Sequence, residues 1–227
     1  MVRERYQTKL SNLTEDVSQM GEMVQEKLSA AMEAMVQLDQ ERAKEIGSDD
    51  DRVDREYIEI EKACSDLLAL EQPVASDLRR ITASFKIITD LERIGDLLVN
   101  LTDYTRQMDD DRLVDEERIV ELGQFAGEML ADSLKSYKKE DTDLAQEVAK
   151  RDNEMDQMCE KSTRLLLQHL IEWETQGVAG GQDEAERKAQ QVLTELLTIR
   201  DLERVADHGV NIAARTVYMV NTSRELI

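Results

Sequence analysis

The chain has a single proline and only nine glycines among its 227 residues. Both residues break helices, so their scarcity favours long uninterrupted ones. Aromatic residues make up 4% of the sequence, which leaves Leu, Ile, Val, Met and Ala to fill a core. There are two cysteines, Cys64 and Cys159, and they show no metal-ligand spacing. Each falls where a helical stripe requires an apolar residue, so both are expected to be buried free thiols. No stretch approaches the ~20 apolar residues of a membrane-spanning helix. Met1-Val2-Arg3-Glu4-Arg5 leads into no apolar signal core. A soluble, cytoplasmic protein is expected, without direct membrane insertion.

Positive charge is also scarce. With 29 basic against 50 acidic residues the formal net charge is -21. Nucleic acid is excluded as a partner, because its binding depends on Lys and Arg neutralising phosphates and no basic stripe is present. Anionic membrane surfaces are disfavoured for the same reason. Cations, metal ions and basic protein surfaces are favoured. Adaptation to high salt, where screening weakens self-repulsion, is one explanation of an acid excess of this kind. No nucleophile elbow, phosphate-cradling glycine loop or Ser-His-Asp set occurs, which points away from an enzyme.

What the sequence does contain is helical periodicity. Leu10, Leu13, Val17, Met20, Val24, Leu28, Met32 and Met35 recur every three or four residues along one helix face. Asp39 is placed to cap a second helix, which carries Ala43, Ile46, Val53, Tyr57, Ile60, Cys64 and Leu67 and ends near Pro73. A third helix carries Ile81, Phe85, Ile88, Leu91, Ile94, Leu98 and Leu101, and Asp109-Asp110-Asp111 closes it. The pattern then restarts. Ile119 to Tyr137 mark a fourth helix, Asp141 caps a fifth, and a flexible turn from Gly177 to Gly181 precedes a sixth. Two constant offsets relate the halves. One takes Val17 to Ile119, Gly21 to Gly123, Asp39 to Asp141 and Asp50 to Asp152. The other takes Ile81 to Val192, Asp90 to Asp201 and Asn100 to Asn211. The predicted fold is all-α: two tandem pseudo-symmetric three-helix bundles, residues 1–110 and 111–227.

The repeated polar positions carry the chemistry. Asp50 and Asp152 occupy stripe positions that require apolar residues, and a lone carboxylate there loses hydration without compensation. One turn later come Asp54 and Asp156. The third and sixth helices supply Glu92 with Asp96 and Glu203 with Asp207, on or beside an apolar face. In an antiparallel hairpin, residues equidistant from the turn lie level. Asp54 and Glu92, like Asp50 and Asp96, are equidistant from Pro73. Asp156 and Glu203, like Asp152 and Asp207, are centred on the glycine-rich turn. Each half thus gathers four carboxylates. Their mutual repulsion is relieved by divalent or trivalent cations, and hard metals prefer oxygen ligands. The competing explanation is a surface ion-pair network with Arg93 and Arg204. His208 has no counterpart in the first half, where Leu97 stands, and is read as incidental. His169 is read as a satisfied core histidine.

Asp-Leu-Glu-Arg-Ile-Gly-Asp (90–96) and Asp-Leu-Glu-Arg-Val-Ala-Asp-His (201–208) resemble the motifs of the PhoU family of phosphate-uptake regulators. The resemblance extends over almost the whole chain, including the duplicated three-helix unit. It implies multinuclear iron, zinc or manganese clusters held by Asp50, Asp54, Glu92 and Asp96 and by Asp152, Asp156, Glu203 and Asp207. It further implies a regulator that restrains phosphate import and starvation signalling through the ATPase subunit of a phosphate ABC transporter. A membrane sensor kinase is an implied second partner, and a homodimer the implied assembly. Two other readings stand beside this one. A carboxylate-bridged metalloenzyme would usually add Glu-x-x-His motifs, but Leu166 and Val205 stand three residues before the two histidines. A purely structural scaffold would leave the carboxylates solvated.

Overall fold

The computed structural model describes residues 2–49, 51–109, 112–175 and 182–221. Helices α1 (Val2–Gln37), α2 (Gln40–Ser48), α3 (Asp51–Leu70) and α4 (Ala75–Gln107) form the first half. Helices α5 (Glu116–Lys139), α6 (Thr142–Thr175) and α7 (Gln182–Asn221) form the second. No strand occurs among the described residues.

The repeat extends to backbone detail. Leu38 and Glu140, at aligned positions, both adopt left-handed backbone, with φ of 53° and 56°. The next amide in each case closes the preceding helix: Asp39 N–H donates to the Ala34 carbonyl and Asp141 N–H to the Ser136 carbonyl, both at 2.9 Å. The same two aspartates then cap the helices that follow. Asp39 Oδ1 accepts from Arg42 N–H at 2.9 Å and Asp141 Oδ1 from Leu144 N–H at 3.0 Å.

The halves differ in the second helix of the repeat. The helix expected from Asp39 to Pro73 is divided into α2 and α3, whereas α6 is continuous. Gly47, Ser48 and Asp49 at the break are weak helix formers; the aligned Ala149, Lys150 and Arg151 are strong ones. Gly47 also permits a close helix approach, since a Cβ there would meet Thr102 Oγ1 at 2.6 Å. Pro73 lies in the α3–α4 turn, as expected. Asp50, Asp110, Asp111, the Gly177–Gly181 turn and the boundary drawn between residues 110 and 111 lie outside the described residues.

Within the first half α1 packs on α2, α3 and α4, and in the second α5 packs on α6 and α7. The halves meet through α4 against α7 and α1 against α5. One hydrophobic cluster runs through both, with Val17, Leu91 and Leu98 joined to Leu122, Val205 and Ile212. Cys64 and Cys159 are buried free thiols. Among the described residues no helix is long and apolar enough to cross a membrane.

Candidate metal centre

Two sulfur contacts fix the helix register that positions the carboxylates. Cys64 Sγ lies 3.9 Å from the Ile81 carbonyl, between α3 and α4. Cys159 Sγ lies 4.0 Å from the Ile199 carbonyl, between α6 and α7. Both contacts are nearly equidistant from their turns, so the helices run level as the hairpin pairing requires. In the second half Asp156 accordingly stands opposite Glu203, and Asp152 opposite Asp207.

Their mutual repulsion is visible in their acidities. Burial raises the Asp152 carboxyl above the usual carboxylate range, and Asp156 and Asp207 raise it further. Burial also raises Glu203, followed by Asp207, Asp156 and Asp152. Asp207 is raised by burial and Asp156, with His208 and Arg204 offsetting part of the shift. Asp152 and Glu203 are half-buried, while Asp156 and Asp207 are exposed. Asp152 Oδ1 is buried and accepts no hydrogen bond among the described residues. A buried carboxylate oxygen without a donor is costly, and a cation is one remedy.

The first half repeats this pattern of exposure. Glu92 is half-buried like Glu203, and Asp54 and Asp96 are exposed like Asp156 and Asp207. Its fourth member, Asp50, lies outside the described residues. As the side chains stand, no three His, Cys, Asp or Glu among the described residues are grouped closely enough to hold a metal ion. The donor set, oxygen throughout with one orphaned buried atom, nonetheless fits a hard cation.

Among the described residues Arg93 and Arg204 form no close ion pair with the second tetrad. Arg93 forms no ion pair or hydrogen bond among the described residues. Arg204 stands 3.9 Å from Asp201, outside the tetrad. In the second tetrad the ion-pair explanation therefore lacks its expected contacts among the described residues.

A second polar system lies between α4 and α7, and sequence reasoning assigned it no role. Asp201 is fully buried and accepts from Asn100 Nδ2 at 3.2 Å, Tyr104 Oη at 3.0 Å and Arg200 Nε at 2.9 Å. Asp90 is buried and lies 2.9 Å from His208 Nδ1. His208 is thus the buried partner of Asp90 and not an incidental residue. The available signal was the recurrence of Asp90 and Asp201 at aligned positions on apolar faces. His169 is half-buried, with Nδ1 2.5 Å from the Leu113 carbonyl, so it is hydrogen-bonded as expected.

Comparison with known proteins agrees with this architecture. The PhoU domain family matches twice, over residues 17–105 and 119–216. A phosphate-specific transport system accessory protein PhoU homolog from Clostridium acetobutylicum is 31% identical over 97% of this chain and 96% of its own length. A Streptococcus pneumoniae homolog is 30% identical over 96% of both chains. The crystal structure of PhoU from Pseudomonas aeruginosa superimposes with a TM-score of 0.85 at 27% identity, covering 96% of this chain and all of that one. The phosphate transport system regulatory protein PhoU from Streptococcus pneumoniae gives a TM-score of 0.83 at 27% identity, covering 96% and 98%. The twice-matched domain, the relatives matched over nearly their full length and the shared fold agree: the chain belongs to the PhoU family.

Proposed function

We propose that the chain is a metal-binding regulatory adaptor of phosphate transport. It restrains phosphate uptake and starvation signalling by contacting a phosphate ABC transporter, chiefly the ATPase subunit. It works in the cytoplasm, peripheral to the membrane through protein partners, as a homodimer. A sensor kinase is a further partner in this reading. The relatives' names supply the phosphate-transport role, since they are accessory and regulatory proteins and carry no enzymatic activity in their names. A metalloenzyme reading gains nothing from the histidines, which are engaged by Asp90 and the Leu113 carbonyl.

The observation that carries the metal assignment is the second tetrad, where burial and like charge raise Asp152, Glu203 and Asp207 above the usual carboxylate range and Asp152 Oδ1 has no donor among the described residues. Asp152, Asp156, Glu203 and Asp207 would hold one iron, zinc or manganese site. Asp50, Asp54, Glu92 and Asp96 would hold the other. A bound cation supplies positive charge that cancels the repulsion and ties α6 to α7, and α3 to α4. Ligand that binds only the folded state stabilises it. Each bundle thereby presents a fixed outer surface to the transporter.

Elemental mass spectrometry on untagged chain purified without chelator tests the metal assignment. Replacing Glu92, Asp96, Glu203 and Asp207 by Ala should remove the metal and release phosphate uptake from restraint. Normal restraint in that metal-free variant would exclude metal from the regulatory role.

A further inference from the structure

In a chain of net charge -21, two arginines meet on the outer surface of the α4–α7 pair. Arg93 and Arg204 occupy aligned positions in the two halves. The helices are antiparallel, as the Asp90–His208 and Asn100–Asp201 contacts show, which brings the two arginines level near the pseudo-twofold axis. Both line one cleft of about 500 Å³, together with Asp96, Asn100 and His208. Leu97, 2% exposed, forms part of its wall.

Neither guanidinium is held by a close ion pair among the described residues. Arg93 has no ion pair or hydrogen bond among the described residues. Arg204 is half-exposed and only 3.9 Å from Asp201, whose oxygens are already served by Arg200, Asn100 and Tyr104. Two forked donors facing one cleft match a tetrahedral oxyanion, which accepts two N–H bonds along each edge. Asp96 in the same cleft narrows the choice. A carboxylate repels a fully deprotonated anion such as sulfate, yet accepts a hydrogen bond from an oxyanion that keeps a proton. Orthophosphate keeps at least one at neutral pH. A carboxylate has about four lone-pair sites, so other contacts of Asp96 leave room for this one.

We propose that the α4–α7 cleft binds orthophosphate, with Arg93 and Arg204 clasping the anion and Asp96 accepting a hydrogen bond from its P–O–H group. The choice of free phosphate among protonated oxyanions rests on the phosphate-regulation reading above; the oxyanion chemistry does not. Bound there, the ion bridges the two repeats between the carboxylate tetrads. The adaptor then responds to phosphate itself and not only to the state of its transporter.

Equilibrium dialysis of the full chain against labelled orthophosphate, after chelator treatment and at fixed ionic strength, tests the site. Saturable binding is expected, weakened roughly tenfold or more in R93Q and in R204Q, with loss in the double variant. Sulfate should compete poorly with wild type and much better with D96N. Circular dichroism confirms that these surface variants fold. Binding unchanged in the double variant, binding that appears only with added metal and ignores the arginines, or equal competition by sulfate would each overturn the proposal. Phosphate uptake, measured in cells relying on this chain as their only accessory protein, separates the two readings. Restraint of uptake without phosphate binding refutes the cleft and keeps the regulator. Phosphate binding without restraint keeps the cleft and refutes the regulator.

Discussion

A Cβ added to Gly21 would lie 2.6 Å from Leu134 Cδ2, so α1 bares its backbone to a leucine of α5. The pseudo-symmetric contact is the reverse one: a Cβ on Gly123 of α5 would meet Met32 Cε of α1. Each helix contributes one knob and one bare patch where the halves join. The two contacts differ in compliance. Leu134 is 7% exposed and branched, whereas Met32, close through its Sδ and Cγ as well at 2.8 and 3.0 Å, is unbranched, half-buried and borders an open groove. Gly21→Ala should therefore destabilise the fold by about 1–2 kcal/mol, overpacking outweighing the helix gain from alanine. Gly123→Ala should stay within about 1 kcal/mol of wild type, because methionine has three torsions through which to move aside. Urea denaturation of the two variants checks the order, and equal losses would count against it.

The carboxylate tetrad gives a pH dependence of definite sign. Asp152, Glu203 and Asp207 have pKa values raised above the usual carboxylate range in the folded chain. Their contribution to stability is fully present below the ordinary carboxylate pKa of about 4. It is lost as pH rises through the raised folded values, because the folded state holds the protons longer. Metal-free chain should therefore gain from removal of a charge here. Asp156→Asn is expected to stabilise it at neutral pH by a few tenths of a kcal/mol to about 1 kcal/mol. The same substitution should weaken metal binding roughly tenfold, since site charge sets affinity. Thermal melts with and without metal would show the sign reversal. A variant less stable in both states would place Asp156 in a structural role.

The sequence was most informative where a residue opposed its own periodicity. Asp152 on an apolar stripe, level with Asp207, was enough to anticipate a shared electrostatic site. Leu38 and Glu140 gave no such warning, because a left-handed turn residue other than glycine leaves no mark in hydropathy. The division of the second helix at Gly47–Asp49 was present as three weak helix formers, but a continuous apolar stripe through Ile46 and Val53 concealed it. Asp90 and Asp201 repeat at aligned positions, yet only packing identifies their partners, His208 for one and Asn100 with Tyr104 for the other. These bonds join helices separated by about half the chain, and no local pattern encodes them.

The thiols should be inert. Burial pushes both Cys64 and Cys159 up to about 12, with nearby carboxylates adding to the shift. Thiolate is the reactive form, so labelling by a disulfide reagent at neutral pH should be negligible until the chain unfolds. Labelling rates that rise in parallel with denaturant-induced unfolding are the expected result. Rapid modification of native chain would mean that α3–α4 or α6–α7 opens locally.

Glu195 offers the test of how the second half holds the connection before α5. Its carboxylate is 2% exposed and accepts the Leu113 and Val114 amides at 2.8 and 2.7 Å. Burial raises this acid, and the two backbone donors with Gln191 and Lys188 pull it partly back. Glu195→Ala would orphan both amides and should cost about 2–4 kcal/mol. Glu195→Gln keeps one acceptor oxygen but turns an amide donor toward the other N–H, so an intermediate loss is expected. Because His169 anchors the same segment through the Leu113 carbonyl, Glu195→Ala with His169→Ala should show coupling beyond the sum of the single losses. Additive losses would mean that α6 and α7 hold the segment independently. Denaturant midpoints for the four proteins of that cycle decide between the two.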